Sequence, residues 1–150
     1  HHRARRAMPE YDGNRCIPTG TLQDKTRQIL GRFLFGLANQ ATAAIESVLA
    51  ADVCELSDGA GEFFAARVPI IGRERVMRFY LNTAARRSTD FRTAFQLING
   101  LPALVADWTQ VRPGQPPRMV LHCEVNPSGQ INGLHAVVAT RKLTAIQFPY

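Results

Sequence analysis

Phe91–Val111, FRTAFQLINGLPALVADWTQV, is the stretch whose reading decides the fold. It holds two apolar runs of strand length on either side of Asn99-Gly100. Asn-Gly readily takes the two consecutive positive φ values of a type I′ turn. Between such runs it predicts an antiparallel hairpin, Phe91–Ile98 paired with Leu101–Val111. Downstream, Arg112–Pro117 reads as a loop and Arg118–Val125 alternates cleanly. Met119, Leu121, Cys123 and Val125 face one way, and Val120, His122 and Glu124 the other, which is the period of a half-buried strand. Asn126-Pro127-Ser128-Gly129 turns the chain back into a last long strand, Ile131–Ala139, with Leu143–Phe148 trailing after it.

Upstream of the hairpin the period is that of helices. Leu22, Ile29, Leu30, Phe33, Leu34 and Leu37 recur at helical spacing behind a candidate N-cap, Thr21. Gly36 and Asn39 are expected to weaken the end of this helix. Ala41, Ala44, Ile45, Val48 and Leu49 form a second helical stripe, and the two helices are expected to pack as a hairpin. Val53–Leu56 reads as a short strand and Ser57–Gly61 as a tight turn, whose glycines are expected to supply positive φ. Phe63–Ala66 reads as a second short strand. A third helix is predicted from Arg73 to about Arg87, with Val76, Met77, Phe79, Tyr80 and Ala84 on its apolar stripe. Helices followed by an antiparallel meander make an α+β fold. The expected form is a cone, with helices packed on a curved antiparallel sheet and an apolar pocket at its mouth.

Length and composition bound the rest. The chain has 150 residues, a one-domain length, with 45% apolar and 20% charged residues. No apolar run approaches the roughly 18–20 residues that span a bilayer, and the first residues do not form a signal peptide. The expectation is a cytoplasmic protein with no membrane contact. The three cysteines are odd in number and form no CxxC pair, so neither a disulfide framework nor a zinc site is indicated. Cys54 and Cys123 lie in apolar strand patterns and are expected in the core. No metal ion and no cofactor is expected.

The net charge is +6, and its arginines cluster at Arg3, Arg5 and Arg6 and again at Arg73, Arg75, Arg78, Arg86 and Arg87. Such clusters are either solvated faces or contacts for an acidic partner. Arg3–Met8 reads as the end of a helix stopped by Pro9, and Tyr11–Thr21 as a linker. The division expected is therefore an N-terminal extension, residues 1–20, and one domain, residues 21–150.

Several strings taken together resemble a known family. Leu49–Tyr80, LAADVCELSDGAGEFFAARVPIIGRERVMRFY, is similar to the opening of a SnoaL-like domain. More narrowly, it resembles the C-terminal extension of a group of extracytoplasmic-function RNA polymerase sigma factors. That group carries Ser-Asp-Gly-Gly-Gly-Lys after the first strand, then Ala-Ala-Arg-x-Pro-Ile-x-Gly. Here Ser57–Glu62 and Ala65–Gly72 stand in those places, and Ile98–Val105 resembles the group's strand hairpin. Arg3–Arg6 resembles the last helix of a promoter-reading domain. Three departures stand out: Ala60 replaces a glycine, Glu62 replaces a lysine, and only Arg141-Lys142-Leu143 remains of a C-terminal Asn-Pro-Asp-Lys-Leu string.

The resemblance implies a regulatory domain that contacts sigma domains and core RNA polymerase. DNA contact would come only through upstream domains absent from this chain. It implies as well a cone able to take a small apolar ligand, or an isomerase-type enzyme. Two sets of residues follow from these readings. The first is an interaction turn, Ser57, Asp58, Gly59, Gly61 and Glu62, in which Asp58 is expected to bond backbone N–H groups two residues on. The second is a possible pocket set, Tyr80, Asp107, Trp108, His122 and His135. In it a carboxylate raised by burial would transfer protons. His122 faces either the cone or solvent, and His122 and His135, on neighbouring strands, can approach one another. No nucleophile–base–acid spacing emerges, and no catalytic residue is assigned.

Overall fold

Thr19 opens the first element by accepting the Leu22 N–H on its hydroxyl at 3.2 Å. The computed structural model describes residues 18–149; Cys16, the Arg3–Arg6 cluster and the linker up to Ile17 lie outside the described residues. Helix α1 is Gly20–Ala38, so the cap falls two residues before Thr21, at a residue whose extended backbone suits a cap. Gly36 does not end this helix. A Cβ there would lie 2.8 Å from Ile45 Cγ1, so the bare backbone is where α2, Thr42–Val48, crosses α1.

Strand β1, Leu49–Asp58, follows α2 directly and is longer than the short run expected. Its start is set by pairing, since Leu49 registers with Ile131. The partner is β6, Ile131–Val137, and the two strands run parallel. The sheet is therefore mixed, with order β2 (Ile70–Ile71), β1, β6, β5 (Arg118–Val125), β4 (Leu101–Trp108), β3 (Phe91–Ile98). A parallel neighbour needs a long connection, here everything from residue 59 to residue 130, and no local pattern announces it.

Phe63–Ala66 is a loop and not a strand. A side chain at Gly59 would meet Phe63 O at 2.7 Å and Ala65 Cβ at 2.9 Å, so this segment folds back over the turn. The positive φ values belong to Ala60 and Gly61, not to Gly59. The pairing partner of β1 on that side is the two-residue β2, Ile70–Ile71. Gly72, at φ 100°, then swings the chain into α3, Arg73–Arg86. Its N–H stays bonded to Val53 O at 2.9 Å, which fixes α3 against β1.

The meander follows its sequence pattern closely. β3, Phe91–Ile98, and β4, Leu101–Trp108, pair from Ile98↔Leu101 to Phe91↔Trp108 around Asn99 and Gly100, both at positive φ. β4 ends at Trp108, short of Val111. There the indole N–H donates to Ser88 O at 3.0 Å, and Gln115 Oε1 accepts the N–H groups of Ser88 and Arg112. β5 is Arg118–Val125, and a 3₁₀ turn, Thr140–Lys142, follows β6.

Three helices thus pack on one face of a curved six-stranded mixed sheet, the cone architecture shared by SnoaL-like and nuclear-transport-factor-like folds. Leu30, Phe33, Ile45, Val76 and Tyr80 meet Val53, Leu104, Leu121, Cys123 and Leu134 on the inner face. A smaller cluster, Ala103, Val105 and Val120 under Leu143 and Phe148, covers part of the outer face. Each fully buried aliphatic or aromatic side chain contributes about 1.5–3 kcal/mol, so the inner cluster dominates stability. Among the described residues no helix is long and apolar enough to cross a membrane.

Candidate functional site

On β1, Val53 faces the helices, and alternation carries Glu55 and Ser57 to the same side. Glu55 is therefore a carboxyl group inside the core, at 0% exposure. Tyr80 Oη donates to Glu55 Oε2 at 2.5 Å, and Ser57 Oγ donates to Glu55 Oε1 at 2.6 Å. Tyr80 is itself held in place, with the Phe33 ring at 5.2 Å and the Phe79 ring at 5.4 Å, both edge-on.

Burial dominates the electrostatics of this group. Desolvation pushes the Glu55 carboxyl up to about 7, although the Ser57 and Tyr80 hydrogen bonds pull it down. Burial, together with the neighbouring Glu55 charge, pushes the Tyr80 phenol well above its ordinary range. Arg87 stands at the end of α3, with its guanidinium 5.0 Å from the Trp108 ring centroid and 3.0 Å from Met119 Sδ. Burial lowers its pKa, against the attraction of Tyr80. A carboxyl group near neutrality beside a phenol can hold or pass a proton. Both carboxyl oxygens already have partners, however, and the group is sealed from solvent. Two open concavities lie elsewhere, about 340 Å³ between α1 and α2 and about 360 Å³ at the start of α3.

The sheet divides the expected pocket set. Tyr80 and Trp108 lie in the inner cluster. Asp107, one residue from Trp108, points to the outer face and pairs with Arg118 at 3.0 Å. His122 and His135 also lie on the outer face, where their rings stack in parallel at 4.7 Å between centroids. His135 Nε2 is 3.1 Å from Glu124 Oε1. Burial, with the His135 charge second, lowers the pKa of His122. Among the described residues no cluster of three or more His, Cys, Asp or Glu is placed to hold a metal ion.

The turn set is also divided. Ser57 points inward, to Glu55. Asp58 accepts the Ala60 N–H at 3.1 Å, bracing the turn from within. Its other oxygen binds Lys142 Nζ at 2.6 Å, and that hydrogen bond is the main reason its pKa is lowered. Arg141 pairs with Glu62 at 3.0 Å and donates to Ala60 O at 3.3 Å. Arg141 and Lys142 thus clamp the turn from the C-terminal side.

Glu55 was missed by sequence reading. Its signal was the alternation Val53-x-Glu55-x-Ser57, which puts a carboxyl group on the core face once β1 is read as a long strand.

No protein-family model matches the sequence, and no curated protein matches it either. Solved structures do resemble it. Extracytoplasmic function sigma factor SigJ of Mycobacterium tuberculosis superposes with a TM-score of 0.66 at 18% identity, over 80% of this chain and 44% of that one. The chain therefore spans less than half the length of that sigma factor. A steroid delta-isomerase from Pseudomonas aeruginosa gives 0.59 at 15% identity, over 77% of this chain and 80% of the other. An epoxide hydrolase from Mycobacterium tuberculosis, of the LEH-like type, gives 0.52 at 16% identity, over 79% and 86%. At these identities the likeness establishes the fold and no more.

Proposed function

We propose that this chain is the regulatory C-terminal domain of an alternative sigma factor of the extracytoplasmic-function type. In this reading it acts in the cytoplasm, tuning transcription initiation through contacts with sigma domains and core RNA polymerase. The observation that carries the reading is the braced turn at the end of β1. Asp58 holds it from within, and Lys142 and Arg141 hold it from the C-terminal side. A turn fixed at both ends presents its backbone in one conformation, which suits a docking contact. The likeness to SigJ, and the strings Ser57–Glu62 and Ala65–Gly72, agree with it. Docking of the turn on a sigma domain or linker would bias the spacing of the promoter-binding domains.

The test uses the full-length gene product with core polymerase. Promoter-dependent transcription is compared between wild type and Asp58→Ala, with thermal melting of both. A changed transcript yield at nearly unchanged melting supports docking. Unchanged yield in a folded variant removes it.

A second reading rests on a different observation, the Glu55–Tyr80 pair. A carboxyl group raised to about 7 next to a phenol is what a small-molecule isomerase needs, and isomerases share this fold. That reading requires the interior to open and admit an apolar ligand. Ligand binding that fails in Glu55→Gln would favour it over the sigma-factor reading.

A further inference from the structure

Helix α1 carries two interior glycines, and only one is explained by packing. At Gly36 a side chain would collide with Ile45. At Gly31 there is nothing within 4 Å, although glycine is among the poorest residues for a helix interior. Gly31 forms the floor of the open concavity of about 340 Å³ between α1 and α2, with Ala44 and Ser47 on the far side. Phe35 stands one turn further along, at 67% exposure, although an aromatic ring gains from burial. Arg27, one turn before Gly31, and Arg32 complete the rim. Arg27 is propped over the Phe95 ring at 5.2 Å, and neither guanidinium pairs with a carboxylate among the described residues.

We propose that this groove is a docking site for an acidic protein segment that carries one apolar side chain. The apolar side chain would lie against Gly31 and Phe35, where the missing Cβ permits close approach of the partner. The partner's carboxylates would meet Arg27 and Arg32, which pair with no carboxylate among the described residues. A basic or neutral segment, even one with an apolar side chain, offers the two guanidinium groups no counter-charge. The site lies on the helices, apart from the braced turn, so it stands independently of the sigma-factor reading.

The test is fluorescence anisotropy of the purified chain with a labelled short peptide, a single tryptophan flanked by glutamates. A lysine-flanked version and a glutamate peptide with serine in place of the tryptophan serve as comparisons. The acidic tryptophan peptide is expected to bind, and roughly tenfold more weakly to Arg27→Glu/Arg32→Glu. Gly31→Leu fills open space in a helix and removes a poor helix former, so it is expected to keep or raise the melting temperature and lose binding; Gly31→Ala supplies a smaller step. Arg75→Glu/Arg86→Glu makes the same charge change on α3 and is expected to keep binding. Binding that survives Gly31→Leu, that falls equally in the α3 variant, or that does not need the tryptophan overturns the proposal. So does concentration-dependent self-association of the chain that Arg27→Glu/Arg32→Glu abolishes, because the occupant is then a second copy.

Discussion

The two faces of the sheet handle titratable groups in opposite ways. On the inner face, Glu55 is sealed among apolar side chains and held by two hydroxyl donors, Tyr80 and Ser57. On the outer face, His122, His135 and Glu124 form a partly exposed group next to the strip covered by Leu143 and Phe148. The Glu55 carboxyl is closed to solvent, whereas the outer group is partly open to it and can exchange a lost partner for water. Burial acts on both, yet with opposite consequences, because it disfavours charge in either case. It raises the pKa of an acid and lowers that of a base. The lesson is that the face a residue occupies, more than its type, sets what its substitution costs.

The largest effect that can break this comparison is on stability. Glu55→Ala is expected to lower the unfolding free energy by about 3 kcal/mol, because it leaves the buried Tyr80 hydroxyl and the part-buried Ser57 hydroxyl unpaired beside a small cavity. His135→Ala is expected to cost under about 1 kcal/mol. Urea titration of both variants checks this, and equal losses would abolish the distinction between the faces.

The pH dependence should split in the same way. The raised pKa of Glu55 means that the folded state holds its proton more tightly than the unfolded chain. Its contribution is complete below the ordinary value of 4.5 and is lost as pH rises through about 7. The stability of wild type relative to Glu55→Gln should fall by about 3 kcal/mol across that window. For His122 the sign is reversed. Its lowered pKa gives a contribution present above 6.5 and lost as pH falls through the folded value. Wild type relative to His122→Asn should therefore lose stability towards acid. Parallel trends in the two difference curves would contradict burial as the main cause of both shifts.

Tyr80→Phe sharpens the inner half. It removes one donor from a buried carboxyl group and should cost about 1–2 kcal/mol. The same loss should move the Glu55 titration further upward, which NMR of the side-chain carboxyl reads directly. At the rim, Lys142→Ala breaks a half-exposed pair and should cost under about 1 kcal/mol, while the Asp58 titration moves back towards its ordinary value. The smallest contrast is chemical. Burial pushes the Cys123 thiol up to about 12, while Cys54 is partly exposed. Alkylation at mildly alkaline pH should label Cys54 and spare Cys123 in the folded protein.

Sequence alone determined what local physics controls. Asn99-Gly100 set the β3–β4 turn, because few other dipeptides take two positive φ values at low cost. Alternation through Arg118–Val125 set the faces of β5, because the pleat has a period of two. The stripe containing Val76 and Tyr80 set the inward side of α3. Asp58 as an internal brace of its turn was legible for the same reason, since the bond spans two residues.

What only the tertiary structure decided depends on distant partners. β1 starts at Leu49 because Ile131 lies beside it, and it runs parallel to β6 because the chain returns after a long excursion. Phe63–Ala66 is a loop because it folds over Gly59. Gly36 is a crossing point because Ile45 arrives there. Asp107 and Trp108 are neighbours in sequence, yet they fall on opposite faces because a strand alternates. Glu55 became the central group of the inner site only when Tyr80, from a helix packed on β1, closed over it. Composition and spacing record which residues a segment contains. The desolvation that raises a carboxyl group's pKa is set by what the rest of the chain places around it.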